Sequence, residues 1–60
     1  MAWIAVDKNG SEIIFDSKPQ RGPSYWVARG TQQFVKLSKG TITKLLDGKT
    51  LTWNDEPVKV

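Results

Sequence analysis

The sequence contains neither cysteine nor histidine. Without cysteine the chain can form no disulfide and no thiol-based active site, and this absence fits a reducing compartment. Without histidine it lacks the commonest general base and the commonest metal ligand. No apolar run is long enough to span a bilayer, and the N-terminus has no basic segment followed by a long apolar one. We therefore expect a soluble, cytoplasmic protein with no membrane partner.

The shortness of the chain limits what it can do. With 60 residues it is expected to form a single small domain over 1–60, with a small core and little volume for a pocket that excludes water. DGKT (47–50) lacks the first glycine of a phosphate-binding loop, and it leads from a helix into a strand, the reverse of that motif. Adjacent Asp55 and Glu56 would point apart in an extended segment. We expect no enzyme, no cofactor and no metal site.

Positive charge is concentrated in the middle of the chain. The net charge is +3, but residues 17–46 carry only cations, whereas the two flanking segments are net acidic. The cations of this basic segment are Lys18, Arg21, Arg29, Lys36, Lys39 and Lys44. Such a block attracts an anionic partner, and a solvated basic surface that aids solubility is the alternative interpretation.

A hairpin is predicted at the N-terminus. The strand-like segments AWIAVD (2–7) and EIIF (12–15) flank Asn9-Gly10, which favours a type I′ turn. With a two-residue loop, Val6 lies opposite Ile13 and Ile4 opposite Phe15, so that one face carries Ile4, Val6, Ile13 and Phe15. A longer, bulged turn would change this register. Both faces are apolar, so more of this chain or a second copy must cover each, and a second copy would make a homodimer or higher oligomer.

A second hairpin is predicted farther along. DSKPQRGPS (16–24) has the prolines and glycine of a loop, and YWVA (25–28) and QQFVKL (32–37) then form strands around the turn 29–31. Because side chains alternate along a strand, one face of this hairpin is predicted as core. That core face carries Tyr25, Val27, Val35 and Leu37. The opposite, half-exposed face carries Trp26, Ala28, Gln32, Phe34 and Lys36.

The half-exposed face is the candidate binding site. Its residues, with nearby cations, are Arg21, Trp26, Arg29, Phe34, Lys36 and Lys39. Aromatic rings beside a cationic groove are typical of surfaces that hold single-stranded nucleic acid. The alternative is that Trp26 and Phe34 are buried beneath the C-terminal segment or in a dimer interface, as large aromatics in small proteins usually are.

Helical spacing appears after the second hairpin. Ile42, Leu45 and Leu46 predict one short helix near residues 39–47. Ser38 is the predicted N-cap, and Gly48 suits the left-handed C′ position. The free amides at the helix start, next to Lys39, form a possible anion site.

The predicted fold is mainly β. The C-terminal elements are a strand at KTLTW (49–53), a turn at NDEP (54–57) and a short edge strand at VKV (58–60). Two hairpins, one short helix and C-terminal strands match a small SH3-like barrel, and an open antiparallel sheet with one packed helix is the alternative. The predicted core is Ile4, Val6, Ile13, Phe15, Tyr25, Val27, Val35, Leu37, Ile42, Leu46, Leu51 and Trp53.

The runs WIAVDKNG, KGTITKL and LTWNDEPV make this chain resemble small uncharacterised proteins encoded by bacteriophages and prophages of gut bacteria. The similarity is one of pattern and length over most of the chain and is weakest at 19–31. It implies a mobile-element origin and the cytoplasm of a host cell, and no functional residues can be carried over from it. Small phage proteins often act by binding a host or defence component, which is an argument by association.

Three functions remain open. The size and the resemblance favour a small non-enzymatic protein that binds a host or phage protein, for instance as an inhibitor. The basic segment at 17–46 favours a nucleic-acid-binding module. The two apolar faces of the first hairpin favour a structural subunit that works as a homo-oligomer.

Overall fold

The computed structural model describes residues 2–60 and contains a four-stranded antiparallel sheet, a two-stranded sheet and one short helix. The elements are β1 (Trp3–Val6), β2 (Glu12–Phe15), β3 (Gln20–Arg21), β4 (Trp26–Val27), β5 (Phe34–Leu37), α1 (Thr41–Leu45) and β6 (Val58–Lys59). The predicted mainly β class is confirmed. Within residues 2–60 the larger sheet has the order β5-β2-β1-β6 and forms no closed barrel, so the open sheet is the correct alternative.

The turn between β1 and β2 differs from the predicted type I′ turn. Asp7 N–H donates to the Ser11 carbonyl at 2.8 Å, and Gly10 N–H donates to the Asp7 carbonyl at 2.9 Å. Gly10 has a φ of 91°, whereas Asn9 does not adopt a positive φ. This pattern matches a three-residue loop with a left-handed glycine bulge, which adds one residue to the predicted loop.

The longer loop shifts the register by one residue. Ile4 pairs with Ile14 and Val6 with Glu12, and because side chains alternate, this slip exchanges the faces of one strand relative to the other. The faces predicted from the two-residue loop are therefore wrong. The face that we call the ribbon face carries Trp3, Ala5, Ile13 and Phe15, and the opposite helix face carries Ile4, Val6, Ile14 and Val58.

Both faces of the hairpin are covered by this chain. The β3–β4 ribbon covers the ribbon face with the buried ring of Trp26, and Trp53 packs beside it. On the helix face, Ile42 of α1 is 1% exposed, and Leu46 and Leu51 pack around it. The hairpin thus needs no second copy to bury its apolar side chains. Its two apolar faces therefore no longer predict an oligomer.

The predicted second hairpin is wrong. β4 pairs with β3, which lies inside the segment predicted as a loop, and β5 pairs with β2. Trp26 therefore faces the sheet, while its neighbours Tyr25 and Val27 are exposed. Val35 is exposed as well, because β5 lies at the edge of the sheet. Tyr25, Val27 and Val35 were predicted as core. This prediction failed because β5 pairs with β2 and not with β4.

Helix α1 falls within the predicted 39–47, but its start differs from prediction. The N-cap is Gly40, which has no side chain to act as a cap, and not Ser38. Glu12 on β2 supplies the missing acceptors, since its carboxylate oxygens accept Gly40 N–H at 2.7 Å and Ile42 N–H at 2.8 Å. A carboxylate is well suited to the positive end of a helix. No helix in the described part of the chain is long and apolar enough to cross a membrane.

The end of α1 is a Schellman motif one residue earlier than predicted. Leu46 is the C-cap, and Asp47, with a φ of 56°, takes the left-handed C′ position that was assigned to Gly48. Gly48 N–H donates to the Thr43 carbonyl at 2.8 Å, the long-range bond of this motif.

The C-terminal segment is mostly irregular. KTLTW (49–53) forms no strand, although its Leu51 and Trp53 pack on the two cores from a loop. The turn predicted at 54–57 lies two residues earlier, where Asp55 N–H donates to the Thr52 carbonyl at 3.0 Å. The strand β6 is the predicted short edge strand, paired with β1.

Candidate functional site

The Arg21 side chain makes several contacts within this chain. Its guanidinium carbon lies 4.3 Å from the ring centroid of Trp26 and 4.6 Å from that of Trp53. Nη1 donates to the Trp53 carbonyl at 2.8 Å, and Nη2 forms an ion pair with Glu56 at 3.6 Å. The two indole rings are inclined at 61° to each other, and the guanidinium makes a cation–π contact with each of them. The Arg21 side chain therefore joins the C-terminal segment to the ribbon, although 36% of its surface stays exposed.

Trp26 is core, and its predicted role as an exposed stacking surface is wrong. Its side chain is 5% exposed, and its indole N–H donates to the Val6 carbonyl at 2.9 Å. The backbone N–H of Trp26 donates to Oδ1 of Asp7, also at 2.9 Å. Pairing with β3 turns Trp26 inward, and strand alternation then turns Tyr25 outward.

The remaining predicted cations lie on the surface, and two of them lie close together. Lys36 and Lys39 line one shallow depression beside the β1–β2 turn, and Arg29 is exposed in the loop before β5. The helix amides next to Lys39 already bind the Glu12 carboxylate, so the anticipated anion site is filled by the chain itself. Among residues 2–60 no three acidic side chains gather as a metal site would require.

The exposed apolar side chains of β5 form the most distinctive surface of the chain. Phe34 is 57% exposed and Val35 is 61% exposed, and exposed Lys36 follows them. We call Phe34, Val35 and Lys36 the β5 edge surface. The Phe34 ring packs against Phe15 with 5.7 Å between centroids, which fixes its position at the rim of the ribbon face. The predicted exposure of Phe34 and Lys36 is confirmed, but their predicted neighbour Trp26 is absent from this surface.

The backbone of β5 has one free side. Asp16 N–H donates to the Gln33 carbonyl at 3.2 Å, so this pair is hydrogen-bonded, and alternation makes Val35 the next residue bonded to β2. The N–H and C=O groups of Phe34 and Lys36 consequently point away from the sheet. In the part of the chain that the structure describes, no strand pairs with this side of β5.

Sequence reasoning missed Val35 as a surface residue because β5 was paired with the wrong strand. One signal was present: Lys36 lies in the middle of the segment FVKL, and an internal lysine is typical of edge strands.

No protein-family model matches this chain, and neither the curated proteins nor the solved structures contain a match. The resemblance to small phage proteins stays a prediction, and the function has to be argued from the site.

Proposed function

We propose that this chain is a small non-enzymatic protein-binding domain that engages its partner through the β5 edge surface. The observation that supports this proposal is that Phe34 and Val35 are 57% and 61% exposed on a strand with a free hydrogen-bonding edge. Covering such apolar area contributes about 25 cal/mol per Å². The resemblance to phage proteins implies that the partner is a host or phage protein.

Nucleic-acid binding is the second candidate, and it has less support. Burial of Trp26 removes one ring from the predicted platform, and Arg21 is already in contact with Trp26, Trp53 and Glu56. Phe34 is the one predicted stacking residue that is still exposed, together with Lys36 on the same strand. A single ring offers a place for one stacked base, whereas a single-strand-binding surface usually stacks successive bases.

Site-specific crosslinking tests the proposal. A photoreactive amino acid replaces Val35, and in a matched control it replaces Leu45, which is 51% exposed on α1. Each protein is irradiated in a bacterial lysate with and without nuclease treatment. We expect one protein to be crosslinked from position 35 and not from position 45.

The crosslinked protein is then purified and titrated calorimetrically against the wild type, Phe34→Ser and Leu45→Ser. We expect Phe34→Ser to weaken binding about tenfold or more, a difference of about 1.4 kcal/mol, and Leu45→Ser to leave it unchanged. Equal crosslinking from both positions, loss of every crosslink on nuclease treatment, or equal affinities would contradict the proposal.

A further inference from the structure

We propose that the partner segment is an acidic, extended peptide that adds to the sheet as a further strand beside β5. This inference rests on the proposed function and names the chemistry that the β5 edge surface would recognise.

The backbone of β5 selects an extended chain. Phe34 and Lys36 each direct one N–H and one C=O outward, as the register with β2 requires. A peptide in β conformation satisfies both donors and both acceptors at once, which is how strand addition to a sheet edge gains affinity. A helix satisfies its own backbone groups and would leave these four unpaired.

The charges near β5 select an acidic chain. Lys36 lies on the strand, and Arg29 and Lys39 lie before and after it, in a segment without any acid. Among the described residues the ion pair is Arg21–Glu56, so none of these three cations has a carboxylate partner there. The carboxylate of Glu12, on the neighbouring strand β2, already accepts hydrogen bonds from the backbone at the start of α1.

The side-chain pattern follows from alternation. Partner residues opposite Phe34 and Lys36 project toward the ribbon face, and the residue opposite Val35 projects toward the helix face. The exposed carboxylate of Asp16 lies at the Phe34 end of β5, so an acid is favoured opposite Lys36. Apolar residues are favoured opposite Phe34 and Val35. The recognised pattern is thus an acidic residue next to two successive apolar residues, which lie opposite Lys36, Val35 and Phe34 respectively.

The same charges disfavour a second copy of this chain on the edge. Pairing β5 with another β5 would bring together two sets of the cations Arg29, Lys36 and Lys39, and the one exposed Asp16 carboxylate of each copy would compensate them only in part. Lysine on an edge strand is a usual device against such self-pairing.

The probe is a capped peptide of about ten residues, the length of a long strand, that repeats one glutamate followed by two valines. Two comparison peptides replace glutamate by lysine, or valine by proline, which prevents regular strand pairing. Titrations of ¹⁵N-labelled protein are followed by NMR. We expect the glutamate–valine peptide to bind, and both comparison peptides to bind about tenfold more weakly or worse. On saturation, the amides of Phe34 and Lys36 should gain protection from exchange.

Three variants locate the site. Lys36→Gln removes a charge from β5, and Lys59→Gln removes the same charge from β6 at the opposite edge of the sheet. Lys36→Pro also removes an outward N–H, without removing a bond to β2. We expect Lys36→Gln to weaken binding, Lys36→Pro to weaken it further, and Lys59→Gln to have no effect. If Lys36→Pro fails to fold, amide protection in the wild type still decides whether the edge is paired.

The inference is overturned if the three peptides bind alike, if the glutamate–valine peptide does not bind, or if both glutamine variants lose equal affinity. It also fails if a thymidine oligonucleotide protects the same amides in preference to the peptide. Protection that rises with protein concentration alone would instead assign the edge to a second copy. A crosslinked protein partner without binding of the acidic peptide would retain the proposed function and reject only this inference.

Discussion

Replacing Trp26 with alanine tests whether Trp26 belongs to the core or to a binding surface. The ring is 5% exposed, packs edge-on against Trp53 with 5.6 Å between centroids, and donates its indole N–H to the Val6 carbonyl at 2.9 Å. A tryptophan-to-alanine change in a core costs about 3–5 kcal/mol. The orphaned Val6 carbonyl adds about 1–3 kcal/mol when it stays buried.

This cost is comparable to the whole stability of the protein. At about 0.05–0.15 kcal/mol per residue, a chain of this length has a free energy of unfolding of about 3–9 kcal/mol, and small domains without disulfides usually lie near the lower end. We therefore expect Trp26→Ala to be largely unfolded at room temperature. Trp26→Phe keeps an aromatic ring but loses the hydrogen bond, so it should cost about 2 kcal/mol and lower Tm by about 8–16 °C.

Urea unfolding followed by far-ultraviolet circular dichroism measures these differences, since fluorescence is altered by the substitution itself. Phe34→Ala is the matched control, because it truncates an aromatic side chain that is 57% exposed and should cost less than about 1 kcal/mol. If Trp26→Ala unfolds cooperatively with the midpoint of Phe34→Ala, Trp26 is not part of the core and the packing described above is wrong.

Four further substitutions test the turns, the helix cap and the contacts of Arg21 by thermal or urea unfolding. In Gly22→Ala the new Cβ would lie 2.6 Å from the Tyr25 carbonyl oxygen, so we expect a loss of about 1–3 kcal/mol, and an unchanged Tm would contradict this close approach. Gly10→Val has open space for its side chain, so the φ of 91° alone opposes it, at about 1–3 kcal/mol; a loss below about 0.5 kcal/mol would argue against the left-handed bulge. Glu12→Gln leaves one acceptor for two helix amides, and we expect it to cost about 1–2 kcal/mol with faster amide exchange in the first turn of α1; unaltered exchange there would refute the cap. Arg21→Lys keeps the charge but loses the guanidinium that contacts two indole rings and donates to the Trp53 carbonyl, and it should cost about 1–2 kcal/mol, whereas an equal urea midpoint would show that these contacts add nothing.

The candidate site was predictable in part. The exposure of Phe34 and Lys36 agrees with the predicted half-exposed face, but the same alternation predicted Val35 as core, and Val35 is 61% exposed. Trp26 and Arg21 are also an aromatic residue and a cation, and they were predicted for the same site. In the structure Trp26 is buried, and Arg21 contacts the rings of Trp26 and Trp53. Composition cannot distinguish these cases, because burial depends on which strand pairs with which.

The sequence by itself determined the elements that local chemistry specifies. The β-branched and aromatic segments form β1 and β2, apolar residues at helical spacing form α1, and a turn forms at the start of the predicted segment 54–57. In each case residues close in sequence carry the whole signal, through propensity, periodicity or turn geometry.

Only the tertiary structure decided the register of β1 and β2, the pairing of β5 with β2, and the capping of α1 by Glu12. A turn longer by one residue, or a strand paired with a distant partner, makes similar backbone hydrogen bonds at similar local cost, so the sequence near the turn does not discriminate between them. The choice is made by burial: the observed register places Ile4 and Val6 under α1, and Ile13 and Phe15 under Trp26. Covering both faces of one hairpin with a single short chain requires contacts between residues far apart in sequence, and these contacts exist only once the chain has folded.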